Sequence, residues 1–358
     1  MKVAILGAGN IGTQFAVMFA EKGHEVRLFT SRPQEINKVL EIVDESGKTI
    51  HRGEIQFATD NIEKAVVDTE FIFITFPAFM LEATAAKLIP HVGENTYIGL
   101  IPGTGGGEYS LSEVRSKGAV IFGLQRVPGV ARLKEYGKTV CVSGIRPKLY
   151  VGTIPRAAGN EVAKVLAESL NMPCEVLPNY LNVTLTPSNP ILHTTRLRTL
   201  FSDYREGTVY KYNPLFYGEW DDASSKLLIA CDDELQQVCK ELSELDLSMV
   251  HSLKRHYKSD TVEAMTRKIS SIKSLAALRS PVKCVESGFV PDFSSRYFTA
   301  DFPYGLAIIQ EIARLTKTPV PNIDETMSWY CGIAGCDGGF RLKKYGIQSL
   351  NDLYQIYR

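Results

Sequence analysis

Residues 2–33 read "KVAILGAGNIGTQFAVMFAEKGHEVRLFTSRP", a stretch that few folds accommodate. Residues 3–6 are a continuous apolar run, as a strand buried on both faces requires. Gly7, Gly9 and Gly12 follow as G-x-G-x-x-G with Asn10 and Ile11 among them, and residues 13–22 have helical periodicity. In such a strand–turn–helix unit the first glycine permits the tight turn. The second lets the backbone approach a pyrophosphate, and the third lets helix and strand pack closely. The pyrophosphate rests on the helix N-terminus. A second strand over 25–29 completes the unit. A dinucleotide site is therefore expected, with Gly7, Gly9, Asn10, Ile11 and Gly12 as cofactor-binding positions.

The end of that second strand selects the cofactor. A carboxylate there holds the ribose 2′-hydroxyl of NAD. This chain has Thr30-Ser31-Arg32 and no acid before Glu35. A guanidinium and two hydroxyls accept a 2′-phosphate that a carboxylate would repel. NADP(H) is expected over NAD(H), with Arg32 as a solvated loop residue the plainer alternative.

The α/β alternation continues. "IQFAT", "EFIFITFP", "TYIGLIPG" and "AVIFGLQ" read as strands between helical segments, the pattern of a Rossmann-type, doubly wound parallel sheet. A small hairpin is expected over 43–51. Ligands of such sheets bind at the carboxyl ends of strands, so the loops "TFPAFM", with Pro77, and "IPGTGGGE" are expected to flank the nicotinamide ribose. Gly105-Gly106-Gly107 reads equally as a flexible turn. "KTVCVSG", "KLYVGTI", a helix over 160–170 and "CEVLP" close a first domain over 1–180.

Beyond residue 180 apolar positions recur at three and four residues, notably over 225–247 and 261–278, so a mostly α-helical second domain is expected over 181–358. A nucleotide-binding half followed by a helical half is expected to take substrate in the cleft between them. In "PSNPILHTTRLRTL", Asn189 or Ser188 reads as N-cap with Pro190 at the first helical position, which puts His193 in or just past the first turn. The helix dipole there disfavours imidazolium unless a carboxylate compensates. Read alone, His193 is more readily a satisfied, partly buried histidine than a catalytic one.

Composition removes other classes. In 358 residues Lys+Arg and Asp+Glu are both 40, so no global field recruits nucleic acid or an anionic membrane. The apolar N-terminus is short, is broken by glycines and lacks a cleavage site, so no signal peptide is expected. No stretch approaches a membrane span. Seven scattered cysteines (Cys141, Cys174, Cys231, Cys239, Cys284, Cys331, Cys336) without C-x-x-C spacing suit reduced, cytoplasmic thiols better than disulfides or a metal site, and no metal is expected.

Four segments in order, "GAGNIG", "QRVPGVARLKEYGKTVCVSGIRP", "NPILHTTRL" and "RYFTADFPYGLA", resemble the octopine/nopaline (opine) dehydrogenases, with similarity running from the first strand to about Thr316. The resemblance implies the two-domain architecture of 6-phosphogluconate and ketopantoate reductase-like oxidoreductases. It implies that a histidine at the start of the first helix of the second domain pairs with the aspartate of a D-x-P-Y-G segment. An arginine five residues before that aspartate holds a substrate carboxylate. The matching positions are His193, Asp301 and Arg296. Asn189 is a further candidate for substrate binding, although capping explains it too. Asp301 also reads as the N-cap of a helix from Tyr304, and Arg296 as a surface arginine. "YKYNPLFYGEWDD" (210–222), Trp329 and Tyr330 line either a substrate pocket or an aromatic core seam. Well-studied members carry an acid after the second strand and use NADH, from which Thr30-Ser31-Arg32 departs.

The resulting expectation is NADP(H)-dependent reductive condensation of an α-amino acid with an α-keto acid through an imine, or the reverse. The partners are those small molecules, with no nucleic acid or membrane and with self-association as a homodimer. Two other readings stay open. One is a ketopantoate-type reductase acting on a carbonyl without an amine, a group that relies on a cleft lysine where this chain offers histidine. The other is a non-catalytic NADP-sensing protein.

Overall fold

The computed structural model describes residues 1–335 and 340–358, which divide into two units: Met1–Thr184 with Ile356–Arg358, and Leu185–Gln355. Twelve strands occur among the described residues of the first unit: β1 (Lys2–Leu6), β2 (Glu25–Phe29), β3 (Val39–Val43), β4 (Thr49–Glu54), β5 (Phe57–Thr59), β6 (Phe71–Ile74), β7 (Tyr97–Leu100), β8 (Val120–Leu124), β9 (Val130–Glu135), β10 (Thr139–Ser143), β11 (Leu149–Ile154) and β12 (Cys174–Val176). Eight of them form one sheet in the order β12-β11-β8-β7-β6-β1-β2-β5. The segment from β5 through β8 is parallel throughout. Both faces are covered, so "FIFI" of β6 is buried at every position. Phe15 and Phe19 of the first helix, Asn10–Glu21, pack on Phe73, which also meets Phe122 edge-on at 5.6 Å between ring centroids.

The sheet is the expected parallel one from β5 through β8, and one edge departs from it. β11 pairs antiparallel with β8 and parallel with β12. Parallel pairing needs a long crossover, usually a helix, and none lies between β8 and β11, where the chain makes β9 and β10 instead. Those two strands join the hairpin β3–β4 in a second, four-stranded sheet, β4-β3-β10-β9. The expected hairpin over 43–51 is thus one edge of a sheet, and "RVPGVAR" runs into its strand β9.

The second unit is mostly helical, with Ser188–Leu200, Asp222–Glu241, Val262–Ser270, Ala307–Thr316 and Pro321–Ala334 as its longer helices. A small antiparallel hairpin, β13 (Val282–Val285) with β14 (Gly288–Pro291), accompanies them. Asp221 and Thr261 cap two of these helices by accepting from Ser224 N and Ala264 N. The two long helical runs read from periodicity are shorter here, ending at Glu241 and Ser270. Serines and aspartates in the following segments compete for backbone hydrogen bonds.

No helix among the described residues is long and apolar enough to cross a membrane, and no cluster of metal-ligating side chains occurs among them. Cys331 is disulfide-bonded, which corrects the expectation of wholly reduced thiols. The absence of C-x-x-C spacing argues against a metal clamp but not against a single pair. Cys141, Cys174, Cys231, Cys239 and Cys284 are free, and Cys336 lies outside the described residues.

Candidate active site

In the first unit the glycine turn links β1 to the helix Asn10–Glu21. Gly7 has φ +113°, and a Cβ there would meet Thr75 Oγ1 at 2.6 Å. A Cβ on Gly12 would sit 1.7 Å from the Gly7 carbonyl oxygen, so helix and turn touch backbone to backbone. At Gly9 a Cβ would meet nothing within 4 Å. The turn therefore leaves open space over the N-terminus of a helix whose first turn carries no acid, as a pyrophosphate requires. The residues present fit a bound dinucleotide. Asn10 adds a structural task, since its Oδ1 accepts the backbone N–H of Leu133 in β9 at 2.8 Å. Ile11 is partly buried against the core.

Beyond β2, Thr30 is buried, and its hydroxyl is hydrogen-bonded to that of Tyr136 at 2.7 Å. Ser31 and Arg32 are exposed. The guanidinium carbon of Arg32 lies 3.7 Å from the centroid of the Tyr136 ring, and Nη1 pairs with Glu35 at 3.1 Å. Tyr136 belongs to the turn between β9 and β10. That turn is fixed because Asn37 N donates to Gly137 O at 2.8 Å. Sequence reading found Arg32 but not the aromatic platform beneath it. Pro77 follows β6 and precedes a short turn, Ala78–Met80, whose Phe79 and Met80 are exposed. In the other strand-end loop, Gly105 and Gly106 take positive φ and lead into a short helix carrying the fully buried Glu108. Burial pushes the Glu108 carboxyl up to about 7. Its Oε1 accepts from Tyr357 at 2.9 Å and from Thr184, while Oε2 has no partner.

In the second unit His193 lies on the helix Ser188–Leu200, one turn in from its start. The structure corrects the expected cap. Pro187 is the cap position and makes no side-chain cap bond, and Asn189 is the exposed second helical residue. Asp301 also departs from its capping alternative. Its backbone is helical and its side chain makes no cap bond. It opens a wide π-helical turn, Phe302–Leu306, closed by Leu306 N donating to Asp301 O at 2.8 Å. Pro303 has no N–H to donate there, and such turns recur at functional sites.

That turn directs the Asp301 carboxylate at the imidazole, with Oδ2 2.7 Å from His193 Nδ1. A carboxylate can only accept, so Nδ1 carries a proton. The other ring nitrogen, Nε2, lies 2.8 Å from the Tyr217 hydroxyl. Both His193 and Asp301 are mostly buried, with side chains 13% and 17% exposed. Tyr297 packs edge-on against the imidazole at 4.5 Å between centroids, and Phe216 does so at 5.8 Å. Burial pushes the Tyr217 phenol well above its ordinary range.

The loop bearing Phe216 and Tyr217 is held from within by Arg196, three residues along the helix from His193. Its guanidinium is 1% exposed and donates to Phe216 O at 3.0 Å, Asp221 Oδ2 at 2.9 Å, Ser224 Oγ at 3.0 Å and Glu219 O at 2.5 Å. Arg296 contrasts with it. It is exposed at the start of a short helix, Arg296–Thr299. Among the described residues its guanidinium has no hydrogen bond, ion pair or ring contact. Tyr330 stacks on Phe302 at 4.2 Å and Trp329 lies beneath Arg198, so both belong to an aromatic seam.

Comparisons with known proteins match this division. Residues 176–334 fit the family model of the NAD/NADP octopine/nopaline dehydrogenase alpha-helical domain, and residues 3–155 that of ketopantoate reductase PanE/ApbA. Octopine dehydrogenase of Mizuhopecten yessoensis is 26% identical over 356 residues, covering 92% of this chain and 89% of its own. A solved structure of octopine dehydrogenase with NADH and L-arginine superposes with a TM-score of 0.84 at 23% identity, over 99% of this chain and 97% of its own. Yersinopine dehydrogenase with NADP+ bound gives 0.66 at 13%, over 99% and 97%. The last two likenesses describe the fold.

Proposed function

The chain belongs to the octopine/nopaline (opine) dehydrogenase family, and we propose that it is an NADP(H)-dependent opine dehydrogenase that condenses an α-amino acid with an α-keto acid and reduces the imine, or runs the reverse. The observation that carries this reading is the hydrogen-bonded pair of His193 and Asp301 on the same unit as the unpaired, exposed guanidinium of Arg296.

Each group has a task that the chemistry requires. Arg296 clamps the keto-acid carboxylate through two parallel hydrogen bonds and so fixes the position of the keto carbon. His193, as imidazolium, donates from Nε2 to the carbonyl oxygen as negative charge develops there, and the oxygen leaves as water. Asp301 sets the tautomer and stabilises the charged ring. Asn189, exposed on the first turn of the same helix, offers an amide to the substrate. The cofactor, when bound, supplies the hydride. Gly7, Gly9, Asn10, Ile11 and Gly12 hold its pyrophosphate through backbone N–H groups at the helix start. Pro77, at the carboxyl end of β6, lies where ligands of such sheets bind. Ser31 and the Tyr136-backed Arg32, with no carboxylate between β2 and Glu35, support recognition of a 2′-phosphate. Yersinopine dehydrogenase, of similar fold, binds NADP+.

The match of residues 3–155 to ketopantoate reductase favours a second reading, carbonyl reduction without an amine. One experiment separates them. NADPH oxidation is followed with pyruvate, 2-oxoglutarate and oxaloacetate, each with and without a panel of amino acids. Amine-dependent consumption supports opine formation. Amine-independent consumption supports the reductase, and tight NADPH binding without any turnover supports a non-catalytic sensor.

A further inference from the structure

Both nitrogens of His193 are engaged, Nδ1 by Asp301 and Nε2 by the Tyr217 hydroxyl. The proposed reaction consumes one net proton per turnover. An ammonium, a carbonyl, a hydride and one proton become a secondary ammonium and water. An imidazole that has given its proton to the departing oxygen must regain one, and the Asp301 side supplies none because that carboxylate only accepts. The other side does hold donors. Tyr217 is hydrogen-bonded to His193 and also to Tyr297, and Tyr297 is only partly buried. The Phe216 and Tyr297 rings enclose the imidazole, and the buried Arg196 fixes the backbone at Phe216.

We propose that Tyr297 and Tyr217 form a hydroxyl relay that returns a proton to His193 Nε2 after each turnover, an inference that rests on the opine dehydrogenase reading. Tyr297 passes its proton to the Tyr217 oxygen while the Tyr217 proton moves to Nε2, and water reprotonates Tyr297. No bond to carbon changes and no electron moves. Burial keeps the Tyr217 phenol protonated throughout the working range, so it transmits a proton without storing charge. With imidazole neutral, Tyr217 donates to Nε2. With imidazolium, Nε2 donates to Tyr217, which then donates to Tyr297, until the substrate carbonyl oxygen replaces Tyr217 as the acceptor of that proton. The same contacts serve both states. Tyr217 is thus a positioning and relay residue, distinct from the group that touches substrate.

Rapid mixing separates a relay from a mere brace. The probes are NADPH and the fastest keto acid–amine pair from the matrix above. Tyr217→Phe and Tyr297→Phe should keep a first turnover at the wild-type rate, because the relay acts only after His193 has given its proton. Their steady-state rate should fall about tenfold or more, leaving a burst of one NADPH per site. The double variant should be no slower than the worse single one, because both hydroxyls lie on one path. A first turnover slowed as much as the steady state, or losses that multiply, overturns the relay and leaves the enzyme reading intact. Wild-type protein without amine-dependent turnover removes both. Should Tyr217→Phe fold poorly by thermal melting, Tyr297→Phe, at a less buried position, carries the test alone.

Discussion

Asp301 Oδ2 lies 2.7 Å from His193 Nδ1 across 108 residues of intervening sequence. A π-helical turn aims the carboxylate, and the helix Ser188–Leu200 presents the imidazole. Asp301→Asn keeps the size of the side chain and removes the charge that supports imidazolium. We expect kcat for amine-dependent NADPH oxidation to fall about 100-fold or more, with the NADPH Kd unchanged. A rate within a few-fold of wild type would show that the pair is structural.

Arg296 is expected to report on the keto acid alone. Arg296→Lys keeps the charge and loses the planar fork, so KM for the keto acid should rise about 10- to 100-fold while KM for the amine moves little. Equal rises in both would place the guanidinium elsewhere in the chemistry.

Cofactor choice should follow Arg32 and the ring beneath it. Arg32→Gln removes charge-assisted hydrogen bonds of about 1.5–3 kcal/mol, so NADPH should bind about 10- to 100-fold more weakly while NADH is unaffected. Tyr136→Leu should change the same ratio in the same direction, because the stacked guanidinium loses its support. Titrations that follow nucleotide fluorescence give both constants. Parallel weakening of the two nucleotides would contradict selection by Arg32.

Stability should depend on pH through Glu108. Its carboxyl is raised from 4.5 to about 7, chiefly by burial. Between those values the folded chain holds a proton that the unfolded chain has released, so stability declines as pH climbs through that window, by about 3 kcal/mol at most. Asp232, also raised to about 7 by burial, adds a contribution of the same sign. Glu108→Gln should flatten the fall of Tm with pH without abolishing it. An unchanged slope would mean that Glu108 does not titrate in the folded protein.

The parts of this molecule legible in its sequence are those written in short-range pattern. The glycine turn, the buried run of β6 and the helical character of the second half follow from spacing and periodicity alone. His193, Asp301 and Arg296 were singled out by resemblance, and no local signal reveals that the first two touch. The illegible parts depend on register between distant segments. β11 runs antiparallel because no crossover helix precedes it, and β9 and β10 complete a sheet begun a hundred residues earlier. Tyr136 reaches Arg32 only through that sheet. Tyr217 was one aromatic residue among several in "YKYNPLFYGEWDD", and its selection depends on Arg196 fixing the loop from beneath. Glu108 resembles any acid after a glycine run until its burial is known.

The most direct measurement is the kinetics of His193→Ala beside its affinity for NADPH. The account predicts amine-dependent turnover reduced about 100- to 10,000-fold, with the NADPH Kd within about twofold of wild type, because the imidazole serves the substrate and not the nucleotide. A variant that keeps most of its rate, or one that loses NADPH binding in proportion, would contradict it.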